Sequence, residues 1–442
     1  MPSTTPPNYG SATAGDPYTP TSGNGGYLAE HYDLVLDYRV ATNRLNATAT
    51  ITARATSRLD RFSLDCAGLT IDKVTVNGVP ARKTSQAARK LVITTAVTLE
   101  AGEAFEVLVR YRGAPHPVRS AWGEVGWEEL DDGVLVSGQP IGAQSWFPCN
   151  DHPSNKATYR ISVSCESGYT VISNGPLVAQ SDRSGRTTWI FAVDEPVATY
   201  LAAVSIGRYR RRDLAAAPVA QSLFFPADHT RAVATDFGRL GEMITFFVEK
   251  FGPYPFPSYS VVVTDDELEI PLEAHGLAVF GRNHADGEHG SDRLIAHELA
   301  HQWYGNSLTV SHWQDIWLQE GFACYAEWLW EEQRGGLAAD QNAHAYRNAL
   351  NQLPKDLIVG DPGPRDMFDD RVYKRGALAL HAIRLSLGDE AFFSALRAYT
   401  LAYRYGHVTT DAFIAFFAEH TGSRVIGTFV DRWIRAADLP IL

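Results

Sequence analysis

A chain of 442 residues, 45% hydrophobic and 20% charged, exceeds the size at which one core keeps growing, so two domains are expected, each able to bury its own interior. Its formal net charge of −12 argues against nucleic acid or an anionic membrane as the main partner. No run approaches the roughly eighteen apolar residues of a membrane span, so no transmembrane helix is expected.

Residues 1–26 are rich in Pro, Thr, Ser and Gly and read as a flexible or surface-laid arm, because they lack the apolar surface needed to order themselves. Alternation starts just beyond: Tyr32, Leu34, Leu36, Tyr38 and Val40 fall on one side of an extended strand. The same period returns at residues 47–55, 105–111 and 159–165, and less cleanly at 91–97, 189–193 and 200–206. Asn77-Gly78 and Asn174-Gly175 read as hairpin turns, since both residue types tolerate positive φ. Short strands punctuated by turns predict an antiparallel β sandwich or saddle over residues 27–208. Arg208, Arg210, Arg211 and Arg212 mark its end, either as an anion site or as a solvated linker face.

From residue 209 to 442 helical periodicity dominates, which makes the whole an α+β chain. A helix over 237–251 is followed by a strand at 259–263, an acidic stretch Asp265-Asp266-Glu267 and a possible edge strand at 271–280. Ser291 is expected to cap the next helix, with Asp292 favoured in its first turn, and that helix should run to about Trp303 and stop at Gly305. Further helices are expected from Leu318 to Gly335-Gly336 and over 375–387, 390–403, 410–421 and 426–435. Four widely spaced cysteines, Cys66, Cys149, Cys165 and Cys324, form no C-x-x-C pair. That spacing fits a reducing compartment and removes thiolate zinc sites. With no basic-then-apolar leader visible, a cytoplasmic location is the expectation.

The chemistry concentrates in His297-Glu298-Leu299-Ala300-His301. Histidines four apart on a helix share one face, with Cβ atoms about 5–6 Å apart, so both imidazoles can converge on one zinc ion. Glu298 flanks the same ion as a base for a metal-activated water. A catalytic zinc needs a third protein ligand and an open position. Glu320 opens the following helix, with room between it and His301 for one helix to end and the next to return. The set is therefore His297, His301 and Glu320 around one Zn2+, with Glu298 as proton acceptor and then donor to the departing amine. The oxyanion still needs a donor, and a tyrosine on a neighbouring helix would serve.

His297–Asn306 (H-E-L-A-H-Q-W-Y-G-N), Trp317-Leu318-Gln319-Glu320-Gly321-Phe322-Ala323, and Phe147-Pro148-Cys149-Asn150-Asp151 with Lys156-Ala157-Thr158-Tyr159 resemble the aminopeptidase N and leukotriene-A hydrolase family of zinc metallopeptidases. The resemblance runs from about residue 27 to the end. It implies a thermolysin-like catalytic domain and a peptide substrate with a free N-terminus. It makes Tyr373, in Tyr373-Lys374-Arg375-Gly376-Ala377, the oxyanion donor. The family's Gly-Ala-Met-Glu-Asn strand, whose glutamate holds the substrate amine, corresponds to Ile270-Pro271-Leu272-Glu273-Ala274. Glu273 survives there while the glycine, methionine and asparagine do not, and Glu267 and Glu269 compete with it. Gln139, in Ser137-Gly138-Gln139-Pro140, matches a glutamine that lines the substrate subsite in relatives, or is simply a polar loop residue. The sequence ends at Phe429–Ile434 without the C-terminal helical domain typical of relatives, which predicts a more open cleft or one closed by another subunit or the N-terminal arm.

The leading expectation is a zinc aminopeptidase. An endopeptidase, or a hydrolase of another electrophile such as an epoxide, is the reading if the altered strand no longer recognises the amine. A degenerate, non-enzymatic scaffold would lack ligands, whereas His297, Glu298, His301, Glu320 and Tyr373 are all present.

Overall fold

The strand Tyr27–Arg39 buries Tyr32, Leu34, Leu36 and Tyr38 and turns the residues between them outward in the computed structural model, which describes residues 8–214 and 216–442. It is central to an eight-stranded sheet whose order runs Leu177–Arg183, Arg186–Ala198, Lys156–Glu166, Tyr27–Arg39, Arg44–Ala55, Ala104–Gly113, Thr70–Val76, Val79–Pro80. Neighbours are antiparallel except Tyr27–Arg39 with Lys156–Glu166, which run parallel. Alternation shows which face is buried but carries no direction for the partner. A three-stranded sheet (Leu59–Asp65, Lys90–Leu99, Lys83–Ala87) and a five-stranded one complete the first unit. Tyr27 meets Phe62 edge-on at 5.4 Å and Tyr38 meets Trp127 at 4.9 Å, so aromatic rings fill the space between sheets.

Two expectations change here, and one is narrowed to one of its alternatives. Residues 8–26, expected as a flexible or surface-laid arm, are laid onto the unit by polar contacts. Asn24 donates to Asn150 Oδ1 and Asp65 Oδ2, both at 2.7 Å, and Lys90 Nζ donates to Gly23 O at 2.7 Å. Composition measures apolar surface and misses ordering by buried hydrogen bonds. Residues 1–7 of that arm lie outside the described residues. Asn77-Gly78 does form the turn between Thr70–Val76 and Val79–Pro80, with φ of 51° and 76°. Asn174-Gly175 instead joins strands of different sheets, and the Asn174 side chain accepts from Ala203 N and donates to Leu201 O. Over 200–206 only Val204–Gly207 is strand, after a 3-10 turn at Thr199–Leu201.

Contacts divide the chain between Arg208 and Tyr209. Arg208 pairs with Asp132 at 2.6 Å within the first unit. Arg210–Asp213 is an exposed edge strand whose Arg211 pairs with Asp213. The basic cluster is therefore solvated, but two of its arginines are matched by aspartates and part of it is strand.

The second unit holds a sheet ordered Arg210–Asp213, Ala220–Phe225, Ser258–Val263, Leu277–Phe280, Leu272–Ala274. Its helices are α1 (Thr230–Asp236), α2 (Leu240–Phe251), α3 (Asp292–Ala300), α4 (Trp317–Gln333), α5 (Ala339–Leu350), α6 (Asp370–Leu387), α7 (Asp389–Ala402), α8 (Thr410–Thr421) and α9 (Ile426–Trp433). The span 271–280 folds as a hairpin, with Gly276 at φ +67° in its turn, and Leu272–Ala274 is the sheet edge. Helix α5 was not foreseen, because it buries only Ala339, Asn342, Ala343 and Leu350 and so shows little apolar periodicity. Helix α6 begins five residues before the expected Arg375, where Asp369 caps it by accepting from Arg371 N at 2.9 Å.

Candidate metal centre

Helix α3 presents His297 through its last turn, with Ile295 and Leu299 buried on its core side. Ser291 stands at the N-cap but makes no side-chain cap bond. The Asp292 carboxylate instead engages Arg334 and, at 3.2 Å, His289 Nδ1. The helix ends at Ala300, three residues short of the expected Trp303. The amides of Asn306, Ser307 and Leu308 reach back to the carbonyls of His301, Gln302 and Trp303 at 3.0–3.1 Å, a wider pattern than an α-helix allows.

The two imidazoles stand 4.8 Å apart between ring centres. Glu320 Oε2, from the first turn of α4, lies 3.4 Å from His297 Nε2 and 3.4 Å from His301 Nε2. Donors about 2.0–2.1 Å from a tetrahedral zinc stand about 3.4 Å from one another, so the three atoms fit such an ion. Both Nδ1 atoms point away from it. His301 Nδ1 sits 3.0 Å from Tyr304 O; a carbonyl only accepts, so Nδ1 carries the proton and Nε2 offers its lone pair. His297 Nδ1 sits 2.7 Å from Glu327 Oε1, and Glu327 Oε2 accepts from Arg293 Nη1 at 3.0 Å. A second grouping, Asp228, His229 and Asp265, has both of its carboxylates exposed.

The field around the cluster also suits a cation. Burial disfavours charged imidazoles, yet Glu320 and Glu327 hold His297 up at about 10, and Glu320 and Glu273 hold His301 up at about 9. Burial raises the Glu298 carboxyl, with Glu320 and Glu327 adding to it against the pull of both histidines. Glu298 Oε2 is buried without a hydrogen-bond partner among the described residues.

Tyr373, from the first turn of α6, lies with its ring nearly parallel to that of His297, centres 6.0 Å apart. Burial and the carboxylates Glu320, Glu273 and Glu298 push its hydroxyl well above the usual phenol range, so it stays a donor. What holds it there is the crossing of α4 and α6. A Cβ on Gly321 would come within 2.9 Å of the Gly376 backbone, so the two helices touch main chain to main chain directly after Glu320 and three residues after Tyr373. Arg375 ties α6 to the C-terminal segment by donating to the carbonyls of Trp433, Ala437 and Asp438.

Glu273, on the edge strand, is within electrostatic reach of His301, Glu298 and Glu320. Burial raises its carboxyl, against the His301 imidazole. Glu267 and Glu269 are exposed, and Glu267 pairs with Arg282 at 3.4 Å. Gln139 belongs to the first unit, on the loop after Gly133–Ser137, with its Nε2 buried and unpartnered among the described residues. Sequence reasoning missed Glu327. Its one signal was position, two turns beyond Glu320 on the same face of α4.

Comparison with known proteins identifies the family. Residues 28–201 match the peptidase M1 N-terminal domain and residues 236–433 the peptidase family M1 domain. Probable aminopeptidase 1 of Sulfurisphaera tokodaii is 25% identical over 93% of this chain and 53% of its own length. Leucyl aminopeptidase of Saccharolobus solfataricus is 26% identical over 93% and 54%, so the chain spans about half the length of these curated relatives. A mutant M1 zinc metallopeptidase of Deinococcus radiodurans, solved bound to a Tyr-Ser-Ala substrate, is 30% identical. It superposes with a TM-score of 0.89 over 97% of this chain and 99% of its own. With two family domains in order, a whole-chain structural match and a buried donor set of zinc geometry, this chain belongs to peptidase family M1, the zinc metallopeptidases.

Proposed function

We propose that the protein is an aminopeptidase that hydrolyses the first peptide bond of peptides with a free N-terminus. The observation that carries this reading is Glu273. It is a carboxylate on a sheet edge, in the same electrostatic cluster as His301, Glu298 and Glu320, and it makes no ion pair with a lysine or arginine among the described residues. An ammonium group bound there would set the first peptide bond at the reacting centre, which is how positioning restricts cleavage to a chain end.

In this reading His297, His301 and Glu320 hold the zinc. When bound, it supplies Lewis acidity that polarises a carbonyl and brings the pKa of a water toward about 7. Glu298 accepts the proton from the attacking water and delivers it to the amine nitrogen as the C–N bond breaks. The Tyr373 hydroxyl donates to the carbonyl oxygen as charge develops on it. Gln139 enters as a substrate-lining residue through its resemblance to the family's subsite glutamine. The four free, buried thiols support a reducing compartment, the cytoplasm.

The strand departs from the family pattern at Ile270, Pro271, Leu272 and Ala274, which keeps the endopeptidase or epoxide-type reading as the second. One assay separates them. Purified protein should cleave aminoacyl-arylamides, lose activity to a chelator, regain it with zinc, and ignore N-acetylated versions. Equal cleavage of blocked substrates would refute the exopeptidase reading, and inertness of the zinc-loaded protein toward all of them would refute the enzymatic one.

A further inference from the structure

We propose that Gln302 and Asn306 form a main-chain clamp that holds the edge hairpin, and with it Glu273, in register with the ligand helix. The inference rests on the reading of Glu273 as amine anchor. Gln302 follows His301 directly and is fully buried. Its Oε1 accepts from Gly276 N at 2.9 Å and its Nε2 donates to Ala274 O at 3.2 Å, so one amide side chain satisfies both polar groups at the hairpin tip. Asn306 Nδ2 donates to the same Ala274 O at 2.8 Å. The strand Leu272–Ala274 is the sheet edge, paired on one side only, with Glu273 opposite Ala278. A three-residue edge strand has few ladder bonds of its own. Its position relative to the histidines is therefore set by these side-chain bonds.

The clamp also accounts for the altered strand. The bonds from Gln302 to Gly276 N and Ala274 O and from Asn306 to Ala274 O go to backbone atoms, so these three do not depend on which side chains occupy 270, 271, 272 and 274. The side-chain replacements along this strand therefore leave those three backbone bonds available to hold Glu273 in register. Gln302 and Asn306 are positioning residues and touch no substrate.

The test compares Gln302→Met, which keeps the length and deletes both bonds, with Gln302→Glu, which restores the acceptor for Gly276 N. Asn306→Ala, five residues from His301, is the variant least able to disturb the ligand helix. Kinetics on a free-amine aminoacyl-arylamide and its N-acetylated form are measured beside zinc content. Gln302→Met should raise KM for the free amine about tenfold to a hundredfold with kcat changed about threefold or less, since lost positioning of the ammonium is lost binding. Zinc should stay at one per chain, and the N-acetylated form should stay a poor substrate. Gln302→Glu should recover part of the loss, and Asn306→Ala should show the same pattern more weakly. Glu273→Gln is the reference. If it raises KM and Gln302→Met does not, the clamp is overturned while the anchor stands. If neither raises KM, the anchor itself is wrong. If Gln302→Met loses zinc, Gln302 serves the ligand helix and the clamp is overturned.

Discussion

Replacing Glu327 by glutamine asks what a carboxylate behind a ligating imidazole contributes to holding zinc. Glu327 accepts from His297 Nδ1 at 2.7 Å and from Arg293 Nη1 at 3.0 Å, on different oxygens. Glutamine keeps the shape but carries an acceptor oxygen at only one of the two carboxylate oxygen positions, and the two donors sit on different ones, so it can serve only one of them in place. Arg293 is 53% exposed and His297 is buried; the amide oxygen therefore turns to the imidazole, and the guanidinium finds water. What disappears is the charge in the short bond. Hydrogen bonds to charged groups contribute about 1.5–3 kcal/mol net and neutral ones about 0.5–1.5, a loss of about 1–1.5 kcal/mol.

At 1.4 kcal/mol per factor of ten, that loss weakens zinc binding about fivefold to tenfold, near the lower end of the tenfold to hundredfold expected when such partners are removed. Competition against a chelator of known affinity measures the change in Kd directly. Melting of the zinc-free protein separates it from a packing defect. A Kd altered less than about twofold would refute the reasoning. So would a Tm that falls as far without zinc as with it, because the residue would then support the fold and not the metal. Arg293→Gln, touching only the exposed side of the pair, should change Kd by about threefold or less.

Glu298→Gln should abolish turnover while zinc stays stoichiometric by elemental analysis, because the proposed mechanism loses its proton acceptor and keeps all three proposed ligands; residual activity near wild type would count against Glu298 as the base. Tyr373→Phe should lower kcat about a hundredfold to a thousandfold with KM little changed, as for loss of an oxyanion donor, and a purely KM effect would remove that role. Gly376→Ala should lower both Tm and kcat, since its Cβ would stand 2.8 Å from Gly321 Cα and push Tyr373 away from Glu320; unchanged kinetics would show the crossing to be slack. In the zinc-free protein, His297 at about 10 and His301 at about 9 hold protons at neutral pH, so zinc uptake should release them, as calorimetry in buffers of different ionisation enthalpy would read. Because these folded values exceed the unfolded value of about 6.5, their stabilisation is complete below that pH and is lost as pH rises through 9–10; a zinc-free Tm that climbs over that interval would contradict it.

The convergence of His297, His301 and Glu320 could be read from the chain because it rests on local geometry. Two histidines four apart share a helix face in any α-helix, and a glutamate opening the next helix needs only a short return loop. The β-rich first part was legible for the same reason, since alternation at Tyr32, Leu34, Leu36 and Tyr38 follows from the strand repeat. What local pattern lacks is the identity of distant partners. That Glu327 backs His297, that Gln302 grips the Ala274–Gly276 turn and that Gly321 meets Gly376 are facts of tertiary packing. In each, the hydrogen bond or close approach joins residues from different elements. The parallel pairing of Tyr27–Arg39 with Lys156–Glu166 and the ordering of residues 8–26 by Asp65 and Asn150 belong with them. Periodicity states which side of an element is buried, whereas only the folded chain decides what that side is buried against.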